Sequence, residues 1–127
     1  MKNKEKLRIV LDTNIILSSI SRNSPYRIIL DKLFENKYEL FLTNEIFLEY
    51  EEKLIVNFDK EVAELTTTSI LLLSNLKKID IYFKFSLIEN DPDDNKFVDC
   101  AFACNAHYLV SNDKDFNILK NIYTYIY

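Results

Sequence analysis

The 127-residue chain contains no glycine. Loops that wrap phosphates bring backbone to within reach of the anion at points where a Cβ would clash. The Walker loop and the dinucleotide fingerprint are therefore both excluded. Histidine is nearly absent too: His107 is the single copy, it precedes a strand-like run, and no nucleophile motif accompanies it, so it reads as structural. The two cysteines, Cys100 and Cys104, are four apart in a helical segment and share a face as small apolar residues. They form neither a C-x-x-C metal clip nor a disulfide framework. No apolar run approaches the roughly 18 residues of a membrane span. The N-terminal MKNKEKL leads straight into a strand-like run without the apolar core of a signal peptide, so the expectation is a cytoplasmic protein that does not enter a membrane. Nor is there an excess of positive charge: 16 basic against 20 acidic residues leave a net −4. A nucleic-acid partner would then need a local basic patch, bound metal ions, or both.

What is present fits one domain, spanning 1–127, since this length supports one hydrophobic core but not two. Residues 7–11, LRIVL, form a β-branched apolar run that stops at Asp12, and the following segments carry helical spacing broken at Ser24-Pro25. ELFL at 39–42 reads as a second strand, followed by a helix capped by Thr43 or Asn44. A helix is expected over 59–76, with Thr66, Thr67 and Thr68 as a weak point. A third strand is expected at 79–81, a helix over 93–106, a fourth strand at HYLVS, and a last one near IYTYI. Alternating strands and helices imply parallel pairing in an α/β fold, whose sites lie at the carboxyl ends of the strands where strand order reverses.

That rule selects acids. Asp12 follows the first strand directly, where an ionised carboxylate is costly unless paired, metal-bound or solvated; the plainer alternative is a cap for the next helix. Asn14, two residues on, could cap that helix or hold a water. Asp113 ends the fourth strand in the same way, with Ser111 before it. Glu45 and Glu49 are four apart on one face of the helix after strand two, and either could face the cleft. In DPDDNKFVDC at 91–100, Asp91 and Pro92 make a helix start and Asp93 feeds its dipole. At 100° per residue, Asp94 lies within about 60° of Phe97, Val98 and Ala101, the apolar stripe, whereas Asp99 lies about 140° away. Asp94 is thus expected to point inward, and Asp99 is disfavoured by its angle. Asp12, Glu49, Asp94 and Asp113 could converge at one sheet edge. Four such carboxylates cannot all stay ionised unless a divalent cation neutralises them, and an all-oxygen set suits Mg²⁺ or Mn²⁺. Phosphodiester hydrolysis is the chemistry that follows.

The segments VLDTN at 10–14, EIFLEY at 45–50, DPDDNKFVDCA at 91–101 and HYLVSNDKDF at 107–116 resemble the ordered motifs of the PIN domain. The likeness is to bacterial PilT N-terminus-like proteins grouped as toxins of toxin-antitoxin pairs. The resemblance implies a three-layer α/β/α sandwich around a central parallel sheet of about five strands, and a Mg²⁺- or Mn²⁺-dependent ribonuclease. Asp12, Glu49, Asp94 and Asp113 match its catalytic, metal-binding acids. Asn14 and Ser111 match the polar residues of the site, Asp99 sits where many relatives carry an acid on the same helix, and Asp115 is a further second-tier position. The last motif reads Ser-Asn-Asp where relatives often have glycine in the middle; Asn112 can adopt the left-handed turn required. The partners implied are an RNA substrate, a cognate antitoxin protein and a second copy in a homodimer. The rival from another class is a PIN-like domain that binds RNA or a partner protein without cutting. A dehalogenase-type phosphatase would need an acid at Asn14, and a receiver domain an acid pair that LDTN does not supply.

Overall fold

β1, Arg8–Leu11, runs through the middle of the molecule. The structure is a computed structural model that describes residues 5–81 and 95–111. In chain order β1 is followed by α1 (Thr13–Ser19), α2 (Arg27–Phe34), β2 (Glu39–Leu42), α3 (Asn44–Asn57), α4 (Lys60–Leu71), β3 (Leu76–Lys78), α5 (Asn95–Ala103) and β4 (Tyr108–Val110). The four strands form one parallel sheet in the order β3-β2-β1-β4. The chain first builds outward from β1 to β2 and β3, then returns through α5 to place β4 on the other side of β1. The strand order therefore reverses at the β1/β4 seam.

Helices cover both faces of the sheet in an α/β/α arrangement, so β1 is buried throughout its apolar length, with Val10 and Leu11 fully so. Such two-sided burial is why LRIVL reads as a continuous apolar run rather than an alternating one. Successive side chains still point to opposite faces. Ile9, Leu11 and Val110 line an apolar pocket together with Ile28 and Ile29 of α2, while Val10 and Leu109 turn the other way. The core continues through Leu40 and Leu42 of β2, Ile46, Tyr50 and Leu54 of α3, and Phe97, Val98 and Ala101 of α5. Each such side chain contributes about 1.5–3 kcal/mol relative to exposure, so the sheet centre holds the fold.

Without glycine, the chain ends two of its helices on asparagine. Asn36 and Asn105 are the positive-φ residues, at 61° and 52°. After α2, the Lys37 N–H donates to the Lys32 carbonyl and Asn36 N–H to Leu33; after α5, Ala106 donates to Ala101 and Asn105 to Phe102. These are the paired bonds of a left-handed helix stop. Each turns the chain directly into a strand, β2 and β4.

Three expectations shift. The helix expected over 59–76 ends at Leu71, and the third strand lies at Leu76–Lys78 rather than 79–81. The cause is Asn75: its buried side-chain amide donates to the carbonyls of Leu33 (3.0 Å) and Tyr38 (2.7 Å), and its own carbonyl accepts from Leu40 N–H. This draws the chain into the sheet three residues early. The threonine run does not break α4, because the Thr67 hydroxyl is buried and donates to the Ala63 carbonyl at 2.8 Å. The described residues hold four strands where about five were expected; the strand anticipated near 122–126 lies outside them.

Candidate active site

The β1/β4 seam ends in two polar residues facing each other. Leu11 pairs with Val110, the Asp12 N–H donates to the Val110 carbonyl at 3.1 Å, and the Ser111 hydroxyl donates to Asp12 Oδ2 at 2.8 Å. Asp12 occupies the N-cap position of α1, with extended backbone, yet its side chain makes no capping bond. Its carboxylate is only 3% exposed and is directed to the end of β4 instead. The capping alternative is thereby removed.

Glu49 joins the same end through the next residue. Its Oε2 accepts from the Thr13 hydroxyl, and its Oε1 lies 2.7 Å from Lys96 Nζ in the first turn of α5. Glu45 is exposed, so of the two glutamates it is Glu49 that turns toward β1. Glu45, Leu48, Glu49, Glu52, Lys53 and Lys96 line an open groove of about 320 Å³ leading away from this pair.

Tyr50 fixes the relation of α3 to β1. Its hydroxyl, fully buried, donates to the Leu11 carbonyl at 2.5 Å, immediately before Asp12. Burial raises its pKa well above the ordinary value, and the charges of Cys100, Asp12, Tyr38 and Glu49 act in the same direction. The phenol therefore remains a protonated donor. Cys100 lies against the same cluster; its hydrogen bond with Cys104, then its burial, hold the thiol protonated, and the Asp99 carboxylate adds to this.

Asp99 itself is 4% exposed. The wheel angle that disfavoured it assumed one buried stripe, but α5 packs against β1, β2, β4 and α3. Phe97, Val98, Asp99, Cys100 and Ala101 are consequently all buried, and Asp99 is not a solvent-facing acid.

A family model described as the PIN domain matches residues 8–115. The chain belongs to the PIN domain family. Among solved structures, the Rickettsia felis VapBC2, bound to a DNA fragment from its promoter, is similar at a TM-score of 0.63 and 21% identity, covering 95% of this chain and 98% of that one. Mycobacterium tuberculosis VapC20, a toxin that cleaves the sarcin-ricin loop, is similar at a TM-score of 0.64 and 13% identity, covering 87% and 93%. These likenesses show the fold. Comparison with curated protein sequences gave no match.

Of the expected residues, this PIN domain brings Asp12 and Ser111 into direct contact, ties Glu49 to their strand end through Thr13, and buries Asp99 on the adjoining helix. Asn14 is exposed in the first turn of α1. Asp94, Asp113 and Asp115 lie outside the described residues. Among the described residues no three acidic, imidazole or thiol groups converge closely enough to hold an ion; a full shell would need Asp94 and Asp113. Of the described donors, the buried Asp12 carboxylate and the Ser111 hydroxyl offer oxygen alone, the ligand type of a hard divalent cation.

Of the basic residues considered near the site, Arg27 serves the α1–α2 connection, donating to the Ile20 carbonyl and to Asp31. Lys53 lines the groove, Arg22 is exposed, and Lys114 is outside the described residues. The residues missed were Thr13, Tyr50 and Lys96. A hydroxyl within the apolar stripe of α3 was a signal for Tyr50, because a buried phenol needs an acceptor. His107 is structural as expected: its Nδ1 accepts from the Arg8 N–H at 2.8 Å, stitching β4 to β1.

Proposed function

We propose that the chain is a divalent-metal-dependent endoribonuclease, the toxin of a toxin-antitoxin pair, cutting RNA phosphodiesters with Asp12, Glu49, Asp94 and Asp113 as its site and Asp99 beside them. The observation that carries this is the orientation of Asp12: a nearly fully buried carboxylate at a helix start that does not cap the helix and is held instead by Ser111 across the strand-order reversal. Burial of an ionised carboxylate is costly without a counter-charge, and this seam is where open α/β sheets bind ligands. Membership of the PIN domain family supports the same reading, as do a toxin-antitoxin assembly and an RNA-loop-cleaving toxin among the similar folds.

Asp12, Glu49, Asp94 and Asp113 would hold Mg²⁺ or Mn²⁺, with Asp99 as a second-tier acid beside them. Held there, such an ion would supply Lewis acidity toward the phosphate and toward an attacking water. The chain's own residues prepare the site. Ser111 fixes one oxygen of Asp12, Tyr50 anchors the carbonyl before it, and Thr13 orients Glu49. The partners of this reading are RNA, an antitoxin protein and a second copy of the chain, in the cytoplasm.

The test is cleavage of labelled single-stranded and hairpin RNA by purified protein in Mn²⁺. Cleavage is expected, stopped by EDTA and by Asp12→Ala or Asp94→Ala with unchanged circular dichroism. RNA binding without cleavage under every metal condition would instead favour a non-catalytic binding domain.

A further inference from the structure

Cys100 and Cys104 carry chemistry that the acids do not use. They are the chain's two cysteines, and both are free thiols. They stand one turn apart at the end of α5: the Cys104 N–H donates to the Cys100 carbonyl at 3.0 Å, and the two side chains are hydrogen-bonded to each other. Four residues of α-helix separate two Cα atoms by about 6 Å, inside the window of about 4.4–6.8 Å that a disulfide spans. Their surroundings differ. Cys100 is fully buried, whereas Cys104 is partly exposed, within reach of a small solute. Its Sγ lies 3.8 Å from the Ala101 carbonyl. The Arg8 side chain crosses the same helix end, its Nε donating to the Asn105 carbonyl at 3.0 Å. The bond from Cys100 first, then the Cys104 amide, the Arg8 charge and the Ala106 amide, lower the pKa of the Cys104 thiol against the opposing effect of burial.

We propose that this pair is an oxidation site for hydroperoxides, with Cys104 reacting first and Cys100 closing a reversible disulfide. In the first step the Cys104 sulfur attacks one peroxide oxygen. The O–O bond breaks, the sulfur is oxidised to a sulfenic acid, and the other oxygen of hydrogen peroxide leaves as water with the proton of the thiol. In the second step the Cys100 sulfur attacks the sulfenic sulfur, the S–O bond breaks, and the Cys100 proton departs with the hydroxide as a second water. Two electrons thus pass from the two thiols to one peroxide. The order of reaction follows from access and thiolate character, which Cys104 has and Cys100 lacks. Closure tightens the helix locally, because Cβ atoms one turn apart are about 5–6 Å from each other and a disulfide draws them to about 3.8 Å. The turn can yield at this place: Asn105, at a φ of 52°, ends α5 immediately after Cys104. A bridge closed against such resistance is readily reduced, so the modification is reversible. This chemistry is read at the sulfurs, independently of the nuclease reading.

The test is peroxide oxidation of the reduced full-length chain, followed by peptide mass spectrometry with and without dimedone as a sulfenic-acid trap, and by circular dichroism as the check on folding. Without the trap, the wild type is expected to form a Cys100–Cys104 bridge within one chain, opened by dithiothreitol, at least about fivefold faster than the urea-unfolded chain forms one, the scale of a raised thiolate fraction. Cys100→Ser is expected to accumulate the dimedone adduct at Cys104, and Cys104→Ser to leave Cys100 unmodified while folded. Cys100→Ala takes the place of serine if the buried hydroxyl unfolds that variant. Amide exchange at Cys104, Asn105 and Ala106, whose N–H groups close this turn, should quicken on oxidation and return on reduction. A bridge found only between chains, a Cys104 sulfinic acid without a bridge, an adduct at Cys100 in the folded Cys104→Ser protein, or two intact thiols at a dose that oxidises the unfolded chain each overturns the proposal.

Discussion

Replacing Tyr50 by phenylalanine removes one oxygen atom and should loosen the end of β1 that carries Asp12. The hydroxyl is fully buried and its 2.5 Å bond to the Leu11 carbonyl joins α3 to the central strand. A typical internal hydrogen bond contributes a net of about 0.5–1.5 kcal/mol, and a buried acceptor deprived of its donor costs about 1–3 kcal/mol. The ring stays in place, so no large cavity opens, and the expected loss is about 2 kcal/mol. With a urea dependence of about 2 kcal/mol per molar for a domain of this size, the unfolding midpoint should fall by about 1 M. Equilibrium unfolding followed by circular dichroism and tyrosine fluorescence measures it. Hydrogen exchange adds a local readout, since the Asp12 amide, bonded to the Val110 carbonyl, should exchange faster in Tyr50→Phe by more than the global change explains. A midpoint within about 0.2 M of wild type would refute the view that this phenol anchors the site.

Other outcomes follow from buried ionisable groups. Burial raises the pKa of both Tyr38 and Tyr50 above the ordinary tyrosine value, so the unfolded chain releases their protons first as pH rises. The stability they confer is complete below about pH 10 and is lost above it, at about 1.4 kcal/mol per pH unit for each residue. Urea midpoints at pH 9 and 11 check this, Tyr38→Phe should lessen the slope, and a midpoint independent of pH in that window would contradict it. Of the cysteines, Cys104 is partly exposed with its thiol pKa lowered by the Cys100 hydrogen bond, while Cys100 is buried and raised. Iodoacetamide should therefore label Cys104 in the native protein and both only in denaturant, as read by peptide mass spectrometry; equal native labelling would be the contrary result.

Asp12 was legible from sequence because a β-branched run ending abruptly in an acid locates a strand tip without any tertiary information. Glu49 was legible only as one of a pair, since helical spacing puts Glu45 and Glu49 on a common face and the choice depends on which one Thr13 and α5 approach. The burial of Asp99 was not legible because the wheel measures angle on an isolated helix, whereas α5 packs against three strands and α3. Lys96 was invisible: within DNKFV a lysine reads as a solvated neighbour of acids, and its burial arises from the approach of α5 to α3, far away in sequence. β3 carries Lys77 and Lys78, both exposed, and has little apolar alternation to announce it. Edge strands carry such charges, which hides them from a reading based on hydrophobic pattern.

The central claim is that the buried carboxylate of Asp12 belongs to a divalent-cation centre and not merely to the packing of β1 against β4. Calorimetric titration of Mn²⁺ into wild type and Asp12→Asn tests it most directly, because asparagine keeps the size of the side chain and removes its charge. The account predicts saturable binding to the wild type and affinity at least about tenfold weaker in the variant, the scale of altering a single metal-supporting group, with the fold intact by circular dichroism. Equal affinity in the two proteins, or no binding to the wild type, would contradict it.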